Sequence, residues 1–250
     1  MNIAYRRSGA GSPVLLIHGV GGDGSNWGPI AARLSARHDV IAMDLRGHGR
    51  SPLIDRPVDA HDLARDAAHV LDDADVAVAA VVGFSLGGVV AQAFALDFTS
   101  RVSKLAVIGT VCGRTPEEQV RARDRVEFLR TNGTAALAEA NRERWFTDAF
   151  RRDHAGVVER RVAQVAACDA PSYAYAFHVF CTADFAARIH EIVVPTLVIT
   201  GEHDAAATPR MAELMGARMR DARVHVLRGL RHSVLIEAPD QVGALLDEFL

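Results

Sequence analysis

Short apolar runs alternate with helix-like segments through the first 110 residues of the chain. The runs PVLLIHG, DVIAMD, AVAAVV and KLAVIG carry apolar side chains at consecutive positions, which is typical of strands buried on both faces. Residues 27–36 and 60–74 instead place apolar side chains at helical spacing. This alternation predicts an α/β fold in which helices flank a mostly parallel sheet.

The pattern changes after residue 113 and returns at residue 195. The intervening segment contains helical stretches and no sheet-core strand; the stretches are 117–130, 134–145, 153–167 and 172–181. The later strands and helices are predicted at 195–201, 209–219, 223–227 and 239–250. Because so long a segment exceeds a simple connection, we predict a core domain of residues 1–113 and 195–250. Residues 114–194 are predicted to form a helical cap, or lid, inserted before the penultimate strand.

The composition is that of an ordinary globular protein. The chain has 250 residues, 49% of them hydrophobic, and a net charge of −3, so nothing indicates nucleic acid or an anionic membrane as a partner. The three cysteines, Cys112, Cys168 and Cys181, are widely spaced and are expected to be free thiols. The start MNIAYRRSG lacks an apolar segment, so a cytoplasmic location is expected. We expect no metal and no cofactor, and whether the chain forms a homodimer is left open.

The segment GFSLGG, residues 83–88, carries the strongest chemical signal. It contains G-x-S-x-G with Ser85 at its centre, between a predicted strand and a helical stretch. Gly83 and Gly87 are expected to permit a tight strand-to-helix turn that exposes the serine hydroxyl. A glycine-rich turn of a nucleotide-binding fold is the alternative, but the acidic ribose partner of such folds is not identifiable.

Two further polar residues follow later strands. Asp204 ends GEHD after strand 195–200, and His232 follows the last strand. Parallel strands end at one edge of a sheet, where sites form, so Ser85, Asp204 and His232 are predicted to meet there. The histidine would take the serine proton and the carboxylate would orient the imidazole. Glu202 competes with Asp204 for that role, and the G-x-x-D spacing favours Asp204.

Residues near these loops are candidates for binding. The backbone N–H groups of Val20 and Leu86 are predicted to form an oxyanion hole. We consider Trp27, Phe84 and Trp145 as substrate contacts, and each is also a candidate packing residue. Two histidines, His18 and His48, are expected to be structural and to hold loops in place.

Five segments together resemble the α/β-hydrolase superfamily over nearly the whole chain. They are LLIHGVGGDGSNW, DLRGHGRS, GFSLGG, GEHDAAATP and HSVLIEAP. Within that superfamily the chain is most similar to 3-oxoadipate enol-lactonases and carboxylesterases, through DLRGHGRS and RWFTDAF. It departs from a typical enol-lactonase at Phe84 and Leu86. The resemblance implies a serine hydrolase that cleaves an ester or lactone through an acyl-enzyme on Ser85.

Other functions use the same residues. A C–C bond hydrolase, a cofactor-free perhydrolase or haloperoxidase, an acyltransferase and a non-catalytic ligand-binding protein remain alternatives. An anionic lactone would require a cationic side chain facing the pocket. The candidates are Arg142, Arg144, Arg151 and Arg152, in a segment whose positive and negative charges balance.

Overall fold

A computed structural model describes residues 2–250 of the chain. Its single described sheet has seven strands: β1 Tyr5–Ser8, β2 Ser12–Ile17, β3 His38–Met43, β4 Ala79–Phe84, β5 Val102–Ile108, β6 Thr196–Gly201 and β7 Ala222–Leu227. The strand order is β1-β3-β2-β4-β5-β6-β7. Strand β1 runs antiparallel to β3, and every other neighbouring pair is parallel. The mostly parallel α/β sheet predicted from the apolar runs is therefore confirmed.

Ten α-helices connect or flank the strands in the described part of the chain. They are α1 Gly28–Leu34, α2 Ala60–Asp73, α3 Leu86–Asp97, α4 Pro116–Trp145, α5 Asp148–Asp153, α6 Ala155–Ala166, α7 Ala170–Thr182, α8 Pro209–Arg218, α9 Val234–Glu237 and α10 Pro239–Phe249. None of these helices of residues 2–250 combines the length and the apolar composition needed to cross a membrane.

Helices cover both faces of the sheet. Successive residues of a strand point to opposite faces, so each strand contributes side chains to the packing on both sides. Val14 and Leu16 of β2 pack into one apolar cluster with side chains of α1 and α10. Leu15 and Ile17, which alternate with them, pack into a second cluster with side chains of α2, α3 and α8. The consecutive apolar positions that predicted doubly buried strands reflect this arrangement.

Helices α4 to α7 form an insertion between β5 and β6, before the penultimate strand, as predicted. Helix α4 begins with a capping box at Thr115, whose hydroxyl accepts the backbone N–H of Glu118. It is bent at Gly133, which has a φ of 81°, and this bend explains the break predicted between residues 130 and 134. The short helix α5 was not predicted. The division into a core domain and a separate cap stays a prediction.

Candidate active site

Ser85 lies at the corner between β4 and α3 in a strained conformation. Its φ is 54°, a left-handed value that non-glycine residues adopt rarely. A Cβ on Gly83 would lie 2.1 Å from the carbonyl oxygen of Gly87, and a Cβ on Gly87 would lie 2.1 Å from that of Ile17. Only glycine fits at these two positions, so the turn predicted from G-x-S-x-G is confirmed.

The side chains predicted to meet at the sheet edge do so. His232 Nε2 lies 3.1 Å from Ser85 Oγ, and His232 Nδ1 lies 2.6 Å from Asp204 Oδ2. The other oxygen of Asp204 accepts the backbone N–H groups of Ala206 and Ala207 at 2.8 and 3.0 Å. These bonds orient a buried carboxylate toward the imidazole ring, which in turn reaches the serine hydroxyl.

Glu202, the rival acid in the same loop, lies elsewhere. Its side chain is exposed and accepts the backbone N–H of Gly229 at 2.7 Å. It therefore anchors the turn at Gly229, and its histidine contact is with His203 at 3.9 Å and not with His232. The spacing argument in favour of Asp204 agrees with the observed contacts.

The glycine loop, residues 19–24, follows β2 and His18 and passes close to Ser85. A Cβ on Gly19 would lie 3.0 Å from Ser85 Cβ. The carbonyl oxygen of Gly19 accepts the backbone N–H of Gly22 at 3.1 Å and lies 2.7 Å from His18 Nδ1. The N–H of Val20 belongs to the same trans peptide and so points the opposite way. Within residues 2–250 it has no intramolecular acceptor.

Leu86 supplies the second N–H of the predicted oxyanion hole. It is the first residue of α3 and directly follows Ser85. The first N–H groups of a helix have no partner within the helix, and the positive end of the helix dipole lies there. Val20 and Leu86 thus bring two backbone donors to the surroundings of one hydroxyl.

Two buried histidines support the glycine loop, as expected for His18 and His48. His18 Nε2 accepts the backbone N–H of Leu45 at 2.9 Å, and His48 Nε2 accepts that of Gly21 at 2.9 Å. A ring nitrogen that accepts a hydrogen bond carries no proton, so both rings are neutral. Burial lowers the pKa of His18 to about 4 and that of His48 to about 3.

A cavity of about 270 Å³ opens above Ser85 and His232, between the sheet edge and the insertion. Trp145 and Val20 line this cavity and also a smaller one beside Ser85, which Phe84 lines as well. The ring of Phe84 lies 5.2 Å from that of His232. Two of the three candidate substrate contacts, Phe84 and Trp145, therefore border the space above the serine.

Trp27 does not border the space above the serine, and its prediction as a substrate contact is wrong. Its side chain is fully buried and packs with Ile30 and Leu34 in the cluster beneath α1 and α10. The helical spacing of Trp27, Ile30 and Leu34 already indicated that they share one apolar face. The alternative of core packing is therefore correct for this residue.

The arginines of the insertion divide into paired and unpaired groups. Arg142 pairs with Glu139 and Glu159, and Arg151 pairs with Asp148. Arg144 alone of the four candidate cations lines the cavity. It is joined there by Arg114, Arg121 and Arg125, which the sequence did not single out.

Arg125 and Tyr173 line the cavity, and each has a polar group that lacks a partner in the described chain. Arg125 donates to the side-chain oxygen of Asn141 and has no carboxylate partner among residues 2–250. Burial is the main cause that lowers its pKa, and the charge of Arg144 lowers it further. The hydroxyl of Tyr173 is buried and has no hydrogen-bond partner in the described chain. These residues come from α4 and α7, so no local motif pointed to them.

Other features of the described chain bear on the chemistry of the site. Within residues 2–250 no cluster of three or more His, Cys, Asp or Glu side chains is arranged to hold a metal ion. The three cysteines are free, and Cys112 and Cys181 are buried. Burial raises the pKa of the Cys112 thiol to about 12, which makes it a poor nucleophile.

Comparisons with known proteins agree with this geometry. A family model described as the alpha/beta hydrolase family matches residues 14–245. The 3-oxoadipate enol-lactonase 1 of Acinetobacter baylyi is 26% identical over 237 residues, which cover 95% of this chain and 88% of that protein. A protein of Azorhizobium caulinodans named as a carbamate hydrolase is 29% identical, with coverage of 98% and 93%.

A solved structure shows the same likeness over the whole fold. The enol-lactonase from Burkholderia xenovorans LB400 has a TM-score of 0.91 and 30% identity, and the match covers 99% of this chain and 95% of that one. Because the family model spans most of the sequence and the structural likeness spans nearly all of it, the chain belongs to the α/β-hydrolase family.

Proposed function

We propose that this protein is a serine hydrolase that cleaves a carboxylic ester or a lactone of a small molecule through an acyl-enzyme on Ser85. The observation that carries the proposal is the continuous set of contacts from Ser85 Oγ through His232 to Asp204 beneath a cavity. The names of the lactonase relatives support the ester or lactone class. We further propose that the insertion acts as a cap over this cavity and that the protein works in the cytoplasm.

Acylation begins with proton transfer from Ser85 Oγ to His232 Nε2 as the oxygen attacks the substrate carbonyl carbon. Asp204 holds the other imidazole nitrogen and stabilises the cation that forms. The carbonyl oxygen becomes an oxyanion, which the N–H groups of Val20 and Leu86 receive. When the tetrahedral intermediate collapses, His232 donates the proton to the leaving alcohol oxygen. A lactone substrate keeps this alcohol tethered to the acyl group.

Deacylation repeats the steps with water as the nucleophile. His232 takes a proton from a water molecule, which attacks the acyl carbon, and the same two N–H groups receive the second oxyanion. Collapse returns the proton to Ser85 Oγ and releases the carboxylic acid. Each oxyanion donor is worth about 2.7–4 kcal/mol of transition-state stabilisation.

Covalent labelling tests the proposal. A fluorophosphonate is expected to label Ser85 in the wild-type protein, and Ser85→Ala is expected to lose both labelling and turnover of p-nitrophenyl acetate. A Thr110→Val variant is a control, since this buried hydroxyl donates to the backbone carbonyl of Ser85 at 2.8 Å and lies outside the reacting contacts. Ester turnover retained by Ser85→Ala would refute the acyl-enzyme.

A product panel separates the related activities. It should contain alkyl esters, lactones, an N-carbamoyl compound and β-diketones, each scored by its products. Turnover of esters or lactones above the others is expected. Preferred cleavage of the β-diketone would indicate a C–C bond hydrolase, and preferred cleavage of the carbamoyl compound would indicate a carbamate hydrolase.

The charges in the cavity support a substrate that carries an anionic group away from the scissile carbonyl. Four arginines line the wall, Arg114, Arg121, Arg125 and Arg144, and Tyr173 adds a buried hydroxyl that has no partner among residues 2–250. The three acidic lining residues are Glu118, which pairs with Arg210, Asp204, which contacts His232, and Asp124, so four arginines face three carboxylates. A substrate carboxylate would provide the charged partner that the half-buried guanidinium of Arg125 lacks among residues 2–250.

A matched pair of substrates tests the charge preference. Monomethyl adipate carries a carboxylate at the position where methyl hexanoate ends in a methyl group. Arg125→Met is expected to reduce kcat/KM for monomethyl adipate about tenfold or more, because a hydrogen bond to a charged group contributes about 1.5–3 kcal/mol. It should leave methyl hexanoate within about twofold. Arg142→Met, which removes a surface cation, is the control. Equal effects of Arg125→Met on both substrates would exclude an anion-binding role.

A further inference from the structure

Arg161, on α6 of the insertion, contacts the glycine loop through its guanidinium group. Nη2 donates to the carbonyl oxygen of Val20 at 3.0 Å, and Nη1 donates to that of Gly21 at 2.6 Å. The guanidinium also lies over the ring of Trp145, 5.4 Å from its centroid. A cation carried by the insertion is thus bonded to two consecutive carbonyl groups of the core.

The peptide between Val20 and Gly21 is held at both ends. Its carbonyl oxygen accepts from Arg161, and its N–H donates to His48 Nε2 at 2.9 Å. The two groups of a trans peptide point in opposite directions, so these bonds fix the rotation of the peptide plane. Because this plane adjoins the peptide that contains the Val20 N–H, it also limits the direction of that donor.

A second side chain of α6 completes the contact. Gln164, one helical turn after Arg161, accepts from Arg161 Nη1 at 2.8 Å and donates to Asp23 Oδ2 at 3.1 Å. Residues three apart on a helix share a face, so both side chains reach the same loop. Asp23 lies on that loop, and its carboxylate is therefore linked to the guanidinium through Gln164.

We propose that Arg161 is a positioning residue for the oxyanion hole, so that the inserted helices supply part of the machinery that stabilises the transition state. The proposal rests on the proposed acyl-transfer function of Ser85. Arg161 and Val20 line the same small cavity as Ser85 and His232. The guanidinium therefore holds the loop that carries one oxyanion donor, and it keeps its positive charge near the place where negative charge develops.

Such a residue acts on the transition state more than on the bound substrate. A misplaced oxyanion donor lowers kcat, since its full removal costs about 10²–10³-fold, while substrate binding in the larger cavity is largely unaffected. Arg161→Met is expected to lower kcat about 10- to 100-fold with KM within about threefold. Its affinity for a trifluoromethyl ketone, which forms a tetrahedral adduct on a serine, should fall in parallel with kcat/KM, and its affinity for the product acid should not.

Arg160→Met is the matched control. Arg160 precedes Arg161 on the same helix and is exposed, so its loss is expected to leave all these values within about twofold. Arg161→Lys keeps the charge and a long side chain but cannot donate to both carbonyls in the same fork. It is expected to give an intermediate kcat, and it replaces Arg161→Met in the test if that variant does not fold. The folded fraction of each variant is measured by circular dichroism.

The outcomes distinguish this proposal from the proposed function. If the wild-type protein turns over no ester, lactone or carbamate, the acyl-transfer function fails. If the wild type is active and folded Arg161→Lys or Arg161→Met keeps its kcat, the positioning role is overturned. Equal losses in affinity for the ketone and the product acid would also overturn it, because they would indicate a general loss of structure.

Discussion

The strand-end loops of the core and the helices of the insertion contribute to the same site by different means. In the core, glycines and strand ends place Ser85, His232 and Asp204 through close backbone contacts, such as the 2.1 Å approach that excludes a Cβ at Gly87. In the insertion, Arg125 and Arg161 reach the site from separate helices. In the proposed function, local backbone geometry places the reacting groups, whereas tertiary placement of long side chains accounts for the proposed tuning and selectivity.

The largest loss of kcat is expected from Asp204→Asn, which replaces one carboxylate oxygen with an amide nitrogen. Asp204→Asn replaces the acceptor of the His232 Nδ1 proton and favours the wrong tautomer, so kcat should fall by about 10⁴-fold. Glu202→Gln, in the same loop, should leave kcat within about threefold, because Glu202 contacts the Gly229 N–H and His203 and not His232. Steady-state kinetics of both variants on one ester measures the contrast. Equal losses would mean that the acid has been misassigned.

Glycine-to-alanine substitutions compare how closely other atoms approach the backbone in the core and in the insertion. Gly87→Ala forces a Cβ to within 2.1 Å of the carbonyl oxygen of Ile17, and we expect it to destabilise the fold by about 3 kcal/mol or more. Gly156→Ala, in α6, meets nothing closer than an Arg160 nitrogen at 3.6 Å. It should stabilise the protein by about 0.4–1 kcal/mol, because alanine loses less backbone entropy. Urea unfolding monitored by circular dichroism measures both changes, and similar effects at the two positions would contradict the comparison.

Mild acid should lower the free energy of unfolding by protonating His18 and His48, the buried histidines near the glycine loop. The pKa of His18 falls from 6.5 to about 4 on folding, and that of His48 falls to about 3. The unfolded chain therefore binds more protons below pH 6.5, so stability is kept above pH 6.5 and lost as the pH falls toward 4. At pH 5, which is 1.5 units below the unfolded pKa, each histidine should cost about 2 kcal/mol.

Urea unfolding at pH 7.5 and pH 5 measures this loss. His48→Gln does not titrate, and its amide oxygen is able to accept the N–H of Gly21. The variant should therefore lose about 2 kcal/mol less than the wild type between the two pH values. An identical loss in wild type and variant would show that His48 becomes protonated without cost.

The sequence predicted the site residues of the core and the presence of the insertion, but it missed several site residues that the insertion supplies, for physical reasons. G-x-S-x-G has one steric solution between a strand and a helix, and residues after parallel strands meet at one edge, so Ser85, Asp204 and His232 could be placed. Trp27 was misplaced because proximity to the glycine loop in sequence says nothing about the face on which a side chain lies. Arg161 has no neighbouring motif, since its partners are carbonyl groups 140 and 141 residues away.

The most direct test of the account is the detection of an acyl-enzyme on Ser85. The protein is mixed with an excess of a p-nitrophenyl ester, quenched with acid during turnover, and examined by intact-mass and peptide mass spectrometry. The account predicts a mass increase equal to the acyl group, confined to the peptide that contains Ser85 and absent in Ser85→Ala. Hydrolysis with no adduct on that peptide, together with turnover that persists in Ser85→Ala, would contradict it.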